Sequence, residues 1–356
     1  MALRAVIFVL IAVLGIGLIS PVFVVNNEWD MRHVHGFFLE PEGSLDVVLI
    51  GASQLYTGYS APLAWRDYGF TSYPLAVSNI PARLYGSLLT EAVNRQHPKL
   101  IVVDIDGFLT DEDPEKLEAN LRKWLDNMPW SRNKIETIRT CVPAELQTSF
   151  YFNIAKYHAN WYQPDTWLPV QQRLRAMDKT GYSLTKSFEA IGQSLTDADQ
   201  PDTRPLTLSG ANAQYLRDFC TQARSLGANV LFLRMPHRTQ TTDPNVFADV
   251  AAVVGGYGYE LLDLHDAFDT IGLDRCTDFM DSDHLNAIGM ETFTAWFGQY
   301  LSEHYDLTTA HSETVTAEWQ RCADFMAQIL PTCQQQAADN TKQTLNEFSA
   351  AFDAYR

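Results

Sequence analysis

Cysteine is scarce in this sequence: five of the 356 residues are cysteines, at positions 141, 220, 276, 322 and 333. They form no C-x-x-C motif and show no Cys/His ligand spacing, which argues against a zinc site and against a disulfide-rich scaffold. Cys322 and Cys333 are the closest pair, yet on one straight helix they would lie about 16 Å apart. A disulfide between them therefore requires, and predicts, a chain reversal near Pro331.

Positive charge is also sparse. Lysine and arginine number 26 against 43 aspartates and glutamates, so the formal net charge is −17, and no Lys/Arg cluster is present. Nucleic acid would be repelled by such a chain, because its phosphates need a basic patch to bind. The excess of acidic residues favours a neutral or cationic partner. No cofactor motif and no metal site is predicted, and His33 and His35 are interpreted as exposed linker residues.

Charge is missing altogether from residues 5–25. At about 1.5 Å per residue such a stretch can cross the roughly 30 Å hydrocarbon core, so residues 1–26 are predicted to be a transmembrane anchor. Arg4 precedes the stretch and Glu28 and Asp30 follow it, which places the N-terminus in the cytoplasm and the rest outside. The apolar stretch is long for a signal peptide and contains Pro21 near its end, so we expect it to be retained.

Short apolar runs alternate with amphipathic segments after the anchor. Five runs have the character of buried parallel strands: 45–51, 73–77, 100–104, 229–234 and 260–264. Four segments have helical spacing: 82–96, 211–226, 245–254 and about 287–305. This alternation predicts an α/β fold, a three-layer α/β/α sandwich with a mainly parallel sheet, over residues 27–306.

Two regions depart from that alternation. Residues 112–207 have no convincing strand and contain four of the eight tryptophans, so we predict a helical insertion, either a lid or a subdomain. The alternative is that these residues form only an outer layer of core packing. Residues 307–356 are predicted to form a C-terminal helical extension, with helices at 313–328 and 336–354 separated by Pro331.

Ser53 follows the first predicted strand in the sequence Gly51-Ala52-Ser53. Ligands of open α/β sheets bind at the carboxyl ends of the strands, and a serine there can expose its hydroxyl beside backbone N–H groups. The alternative is a serine that only makes a turn or caps a helix.

A second candidate lies just before the last predicted helix, where Asp281 and His284 are three residues apart. On one helical turn this spacing lets the carboxylate accept from one imidazole nitrogen and leaves the other free to take a proton. A serine hydroxyl becomes a good nucleophile only beside such a base. The alternative is that Asp278 and Asp283 simply cap the following helix.

Taken together, the Gly-x-Ser after the first strand and the Asp-x-x-His-Leu-Asn before the last helix resemble the SGNH/GDSL hydrolase superfamily. The resemblance covers residues 44–305. The segments DNMPWSRNK (126–134), YHANW (157–161) and KTGY (179–182) are similar to a membrane-anchored bacterial branch akin to the D-alanyl transfer protein of lipoteichoic acid and the alginate O-acetylation proteins. This resemblance implies a nucleophile Ser53, a general base His284 and Asp281 orienting it.

The sequence departs from that family at the oxyanion hole. Family members supply a glycine after the second strand and an asparagine after the third, whereas this chain has Ser78-Asn79 and Asp106-Gly107 there. We expect either that Asn79 substitutes or that the backbone N–H groups of Ser53 and Ser78 act as donors. Asp106 would repel an oxyanion if it pointed inward.

Four further residues are predicted to contact substrate: Trp130, His158, Trp161 and His237. The alternative is that His237 is an ordinary loop residue and that the other three belong to the core. The predicted function is that of an extracytoplasmic serine esterase or O-acyltransferase acting through an acyl-Ser53 intermediate on a cell-envelope polysaccharide or teichoic acid. The resemblance also implies a membrane-bound O-acyltransferase as partner. The alternative is a noncatalytic accessory protein of such an acyltransferase.

Overall fold

The structure is a computed structural model of the chain. It describes residues 2–19, 24, 28–159, 184–189, 192, 194, 203–243, 245–307 and 310–340.

A five-stranded parallel sheet forms the centre of the fold, in the order β2-β1-β3-β5-β7. All five predicted strands are confirmed: β1 Val47–Gly51, β2 Ser72–Ala76, β3 Leu100–Asp104, β5 Val230–Arg234 and β7 Glu260–Asp263. The first four are buried throughout, as expected of strands covered on both faces. A second, two-stranded sheet pairs β4 Thr203–Arg204 with β6 Gln240–Thr241.

The strand order fixes where a site can form. β1 pairs with β2 on one side and with β3 on the other, so the connections leaving β1 and β3 diverge and leave a crevice at the carboxyl edge. Gly51 ends β1, and a Cβ built on it would lie 2.6 Å from the Asp104 Cβ at the end of β3. Glycine is therefore required there, and it brings the two strand ends close together.

Helices surround the sheet: α1 Ala2–Ile19, α2 Glu28–Leu39, α3 Ser53–Gly58, α4 Ala61–Tyr68, α5 Tyr85–Gln96, α6 Asp106–Leu109, α7 Leu117–Leu125, α8 Arg132–Cys141, α9 Gln147–Tyr151, α10 Ile154–Tyr157, α11 Gly210–Ser225, α12 Val246–Gly256, α13 Phe268–Ile271, α14 Ala287–His304 and α15 Glu313–Ala338. The four predicted amphipathic helices correspond to α5, α11, α12 and α14. One group packs α11 against α5 and α12, and another packs α14 against α3, α4 and α15. The arrangement is α/β and consistent with a three-layer sandwich.

The described start of the predicted insertion belongs to the main core. Leu121, Trp124 and Leu125 on α7 are fully buried in it, and the Trp124 indole N–H donates to Ser87 Oγ on α5 at 2.9 Å. These residues form an outer core layer, as the alternative to a lid or subdomain predicts. The expectation that the insertion lacks strands is wrong at its end, where β4 forms. Residues 160–183 lie outside the described residues.

The C-terminal extension differs from its prediction. One helix, α15, continues through Pro331 where a break was predicted, and residues 341–354 of the predicted second helix lie outside the described residues. Ile329, Leu330 and Cys333 are buried in a second apolar cluster with Leu63 of α4, and this packing offsets the hydrogen bond that proline cannot donate. Because the chain does not reverse, Cys322 and Cys333 stay apart as buried free thiols, and the predicted disulfide is wrong.

The N-terminal segment is helical over Ala2–Ile19, and apolar side chains such as Leu3, Phe8 and Leu14 are exposed. Within the described part of the chain, no helix has the length and apolar character needed to cross a membrane. The predicted span of residues 5–25 includes positions 20–23 and 25, which lie outside the described residues.

A buried ion pair connects the end of α2 to the turn at residues 184–187. Lys186 Nζ lies 2.6 Å from Glu40 Oε1, and neither side chain is more than 3% exposed. The ammonium also lies 4.9 Å from the ring centroid of Trp319 on α15. Burial lowers the pKa of Lys186, but the charge and hydrogen bond of Glu40 outweigh it and raise the pKa above its usual value.

Replacing one member of this pair should destabilise the protein strongly. Glu40→Gln leaves the Lys186 ammonium buried without its carboxylate, so we expect the free energy of unfolding to fall by about 3–5 kcal/mol. Urea denaturation followed by circular dichroism measures the change. Glu42→Gln is the control, because Glu42 is 77% exposed where it faces Arg95. Equal effects of the two variants would contradict a structural role for the buried pair.

Candidate functional site

Ser53 and His284 meet at the carboxyl edge of the sheet. Ser53 is the first residue of α3, directly after β1, and its Oγ lies 2.7 Å from His284 Nε2. Both side chains are partly buried. The predicted approach of these two residues is confirmed.

Asp281 completes a chain of hydrogen bonds. Both of its carboxylate oxygens lie 2.9 Å from His284 Nδ1. The Oδ1 atom also accepts the backbone N–H groups of Asp283 and His284, at 2.8 and 2.9 Å. Because Nδ1 faces a carboxylate, it must carry the proton, which leaves Nε2 to accept from the serine hydroxyl.

These residues lie in a loop rather than on the helical turn that the three-residue spacing suggested. Phe279 and Leu285 form an isolated antiparallel bridge, and Met280 N–H donates to the His284 carbonyl at 2.9 Å. The helix that follows is capped by Asn286, whose side chain accepts from two N–H groups of α14. Asp278 and Asp283 therefore do not provide that cap. The Phe279–Leu285 bridge holds the two ends of the loop together.

The electrostatics of the pair match this geometry. Burial lowers the pKa of His284, but the hydrogen bond and charge of Asp281, aided by Asp283 and Glu189, outweigh it and raise the pKa above its usual value. Burial raises the pKa of Asp281, yet the bond to His284 prevails and lowers it. The imidazole is thus a stronger base than an isolated histidine, and a hydroxyl bonded to it is prepared for proton transfer.

The loop after β2 is held by two charged side chains. Ser78 donates its N–H and its hydroxyl to the carboxylate of Asp30 on α2, at 2.7 and 2.8 Å. Its carbonyl accepts from Lys123 Nζ of α7 at 2.9 Å. The Ser78 N–H is therefore engaged, and the prediction that it serves as an oxyanion donor is wrong. Asn79 follows with a φ of +50°, is exposed, and lines the cavity in front of Ser53.

Asp106 occupies the position after β3. Its Oδ2 accepts from the Gln54 amide at 3.0 Å, while Oδ1 is buried. Burial raises the pKa of Asp106 to about 6, with the charge of Arg234 lowering it and that of Asp283 raising it. Asp106 thus lines the cavity, where its charge would oppose an oxyanion, and Gln54 holds one of its oxygens.

A cavity of about 600 Å³ opens in front of Ser53. It is lined by residues from the ends of β1 and β3, from α7 and from the loop of His284: Ser53, Gln54, Asn79, Asp106, Lys123, Arg204, Asp283 and His284 among others. Arg204 Nη1 lies 2.6 Å from Asp283 Oδ2, so the end of the insertion contacts the loop that carries the histidine.

The other predicted contact residues are not brought together at this cavity. Trp130 is 48% exposed and packs under the Lys134 ammonium of α8, away from the cavity lining. His158 is exposed and bonds to the Ala155 carbonyl. His237 is buried behind Asp106, with 3.8 Å between His237 Nε2 and Asp106 Oδ2, and Trp161 lies outside the described residues.

Histidines 33 and 35 were expected to be exposed in a linker, and this is wrong. His33 is buried on α2 against the Tyr56 ring, with 4.1 Å between ring centroids, and His35 is half-buried. Burial lowers the pKa of His33 to about 3. Within the residues that the structure describes, no group of three His, Cys, Asp or Glu side chains could hold a metal ion.

Comparisons with protein-family models, with curated proteins and with solved structures find no match to this chain. The chemistry of the site therefore rests on its own geometry.

The histidine titration offers a direct check of this geometry. In the native protein we expect the pKa of His284 to exceed its ordinary value of about 6.5. Asp281→Asn removes the charge that raises it, so the pKa should fall. NMR of the imidazole Cε1–H signal against pH measures both values.

The raised pKa of His284 also determines how the free energy of unfolding depends on pH. The stabilisation from protonated His284 is present below the unfolded pKa of about 6.5, as long as Asp281 stays ionised, and is lost as the pH rises through the raised native value. Asp269→Asn, an exposed change on α13, is the control. An unaltered His284 pKa in Asp281→Asn would refute the assigned pairing.

Proposed function

We propose that this protein is a serine esterase or O-acyltransferase of the SGNH/GDSL type. This proposal rests on two contacts: Ser53 Oγ lies 2.7 Å from His284 Nε2, and His284 Nδ1 lies 2.9 Å from Asp281. We call these three residues the relay. A nucleophile, a base and a group orienting the base are thereby within hydrogen-bond reach of one another, beside an open cavity.

The chemistry proceeds in two halves. Ser53 Oγ attacks the ester carbonyl while His284 takes the hydroxyl proton, and the alcohol leaves with that proton to give acyl-Ser53. Water or a second alcohol then attacks the acyl carbon, gives its proton to His284, and releases Ser53 Oγ, which recovers the proton. Hydrolysis and transfer differ only in the second nucleophile.

The oxyanion in each half needs hydrogen-bond donors. The backbone N–H of Ser53 at the start of α3 and Asn79, held next to the fixed Ser78, are the candidates. The loss of one such donor typically costs about 2.7–4 kcal/mol of transition-state stabilisation. Asn79 would therefore be essential.

A noncatalytic accessory protein is the second candidate. It is favoured by the engagement of the Ser78 N–H with Asp30 and by a carboxylate, Asp106, where the family has an amide. Both features weaken an oxyanion hole. Against it stands the intact relay, because a scaffold does not need the 2.7 Å contact of Ser53 with a base.

We place the domain outside the cytoplasm, held by its N-terminal segment and acting on a cell-envelope polysaccharide or teichoic acid with a membrane-bound O-acyltransferase as partner. This location rests on the sequence pattern and on the exposed apolar side chains of α1. Protease protection in intact cells should find residues after about 26 accessible from outside, with an N-terminus that begins at residue 1. A mature terminus near residues 21–27, or a fully protected domain, would contradict it.

Labelling by a fluorophosphonate tests the catalytic proposal. We expect wild-type protein to be labelled at Ser53 and Ser53→Ala to be unlabelled and inactive on p-nitrophenyl acetate, with unfolding temperature nearly unchanged. His284→Ala should be about as damaging, because serine and base act as a unit. Ser225→Ala, on the exposed end of α11, is the matched control.

The outcomes separate the two candidates. Labelling lost with Ser53→Ala and kept in Ser225→Ala supports the enzyme. A wild-type protein that is folded and resists labelling would indicate the accessory protein instead.

A further inference from the structure

Tyr56 lies one helical turn after the nucleophile. It is three residues after Ser53 on α3, so the two side chains share one face of the helix. Its ring packs edge-on against His33 of α2, with 4.1 Å between the ring centroids, and only 6% of the residue is exposed. Its carbonyl accepts the backbone N–H of Glu189 at 2.9 Å. Helix, ring and backbone contacts therefore fix the phenol beside Ser53.

The Tyr56 hydroxyl is hydrogen-bonded to the Ser53 side chain. The direction of this bond follows from the other contact of the serine. Ser53 has one hydroxyl proton, and that proton points to His284 Nε2, because Nδ1 holds the imidazole proton against Asp281. Ser53 Oγ is therefore the acceptor and the phenol is the donor. Tyr56 extends the relay by one hydrogen bond.

The phenol keeps its proton. Burial raises the pKa of Tyr56 and the charges of Glu189 and Asp30 raise it further, while the bond with Ser53 lowers it, so the pKa stands well above its usual value of about 10. At a pH where His284 is neutral and can act as a base, the phenol is still protonated. It is then a hydrogen-bond donor and not a second base for Ser53.

A donor at this position acts on the atom that reacts. When His284 takes the Ser53 proton, negative charge develops on Oγ, and a hydrogen bond to a charged atom is stronger than one to a neutral atom. The bond from the phenol therefore strengthens as the proton leaves, which favours the transition state over the ground state. The same bond restricts rotation of the Ser53 hydroxyl and keeps its proton directed at Nε2.

We propose that Tyr56 is a further catalytic residue, whose phenol donates to Ser53 Oγ and stabilises the charge that develops there as Oγ attacks and leaves. Tyr56 keeps its proton in both halves of the reaction, and His284 alone moves the proton between Ser53 and the alcohol or water. This inference rests on the proposed esterase or acyltransferase activity. It adds stabilisation on the nucleophile side of a site whose oxyanion side is weakened by Asp106 and by the engaged Ser78 N–H.

Removal of the hydroxyl alone tests this donor. Tyr56→Phe keeps the ring and its contact with His33, so we expect the protein to fold. Both kcat/KM for p-nitrophenyl acetate and the rate constant for fluorophosphonate labelling of Ser53 should fall by about tenfold to a hundredfold, the effect of one hydrogen bond to a charged atom.

Tyr59→Phe is the matched control. Tyr59 directly follows α3, is fully buried, and bonds through its hydroxyl to Ser72 Oγ at 2.8 Å rather than to the relay. The same chemical change at this position should leave both rates at their wild-type values. The unfolding temperature of each variant ensures that rates are compared in folded protein.

Ring fluorination separates a donor from a hydroxyl that only packs. At position 56, 3-fluorotyrosine and 3,5-difluorotyrosine keep the shape of the phenol but make it successively more acidic and a better donor. Because burial keeps the phenol protonated at neutral pH, we expect both rates to rise from phenylalanine through tyrosine to the two fluorinated residues. A purely structural hydroxyl would give equal rates with tyrosine and with its fluorinated forms.

The outcomes keep two failures apart. If Tyr56→Phe retains the wild-type rates in folded protein, or if the rates do not follow the acidity of the phenol, Tyr56 is not catalytic and a labelled Ser53 still stands as the nucleophile. Should Tyr56→Phe fail to fold, the fluorinated residues decide alone. If wild-type Ser53 is not labelled and no ester is cleaved, the proposed function falls and this inference with it.

Discussion

The hydrogen bond between Ser53 Oγ and His284 Nε2 joins residues 231 positions apart, so it depends on every element that holds the two ends in place. Ser53 is fixed by β1, the strand that pairs on both sides, and by the close approach of Gly51 to Asp104. His284 is fixed by a loop closed with backbone bonds and anchored to α14 through the Asn286 cap. The sheet therefore holds the Ser53 hydroxyl within hydrogen-bond distance of the His284 imidazole.

The loop after β2, on one side of the cavity, is held by charged side chains from helices outside the sheet. Asp30 comes from the helix after the N-terminal segment and Lys123 from the start of the insertion, and both bind the single residue Ser78. Asn79 takes its left-handed conformation directly beside that fixed point. The shape of this loop thus depends on the docking of α2 and α7, which contact each other, so the insertion contributes to the site as well as to the core.

Local sequence patterns predicted the parallel sheet, four of the helices around it and most of the relay. The five strands and four helices have strong apolar periodicity, and Ser53 and His284 follow or precede them at positions where open sheets place ligands. What could not be predicted are pairings between distant residues, such as Asp30 with Ser78 or Gln54 with Asp106, because neither partner has a motif of its own. The continuation of α15 through Pro331 was missed for a related reason: local propensity opposes it, and burial of Ile329 and Cys333 overrides it.

On the proposed function, the choice between hydrolysis and transfer depends on which hydroxyl reaches acyl-Ser53 in the right orientation. Water is abundant but unoriented, whereas a bound alcohol reacts as if it were present at a very high effective concentration, about 10⁵ M or more for well-oriented groups. The polar side chains that line this cavity, among them Gln54, Asn79 and Asp106, would supply that orientation to a bound alcohol and not to a lone water. On the proposed function, Asp106 and the engaged Ser78 N–H weaken the oxyanion hole, while the polar cavity lining favours transfer to a bound alcohol over hydrolysis.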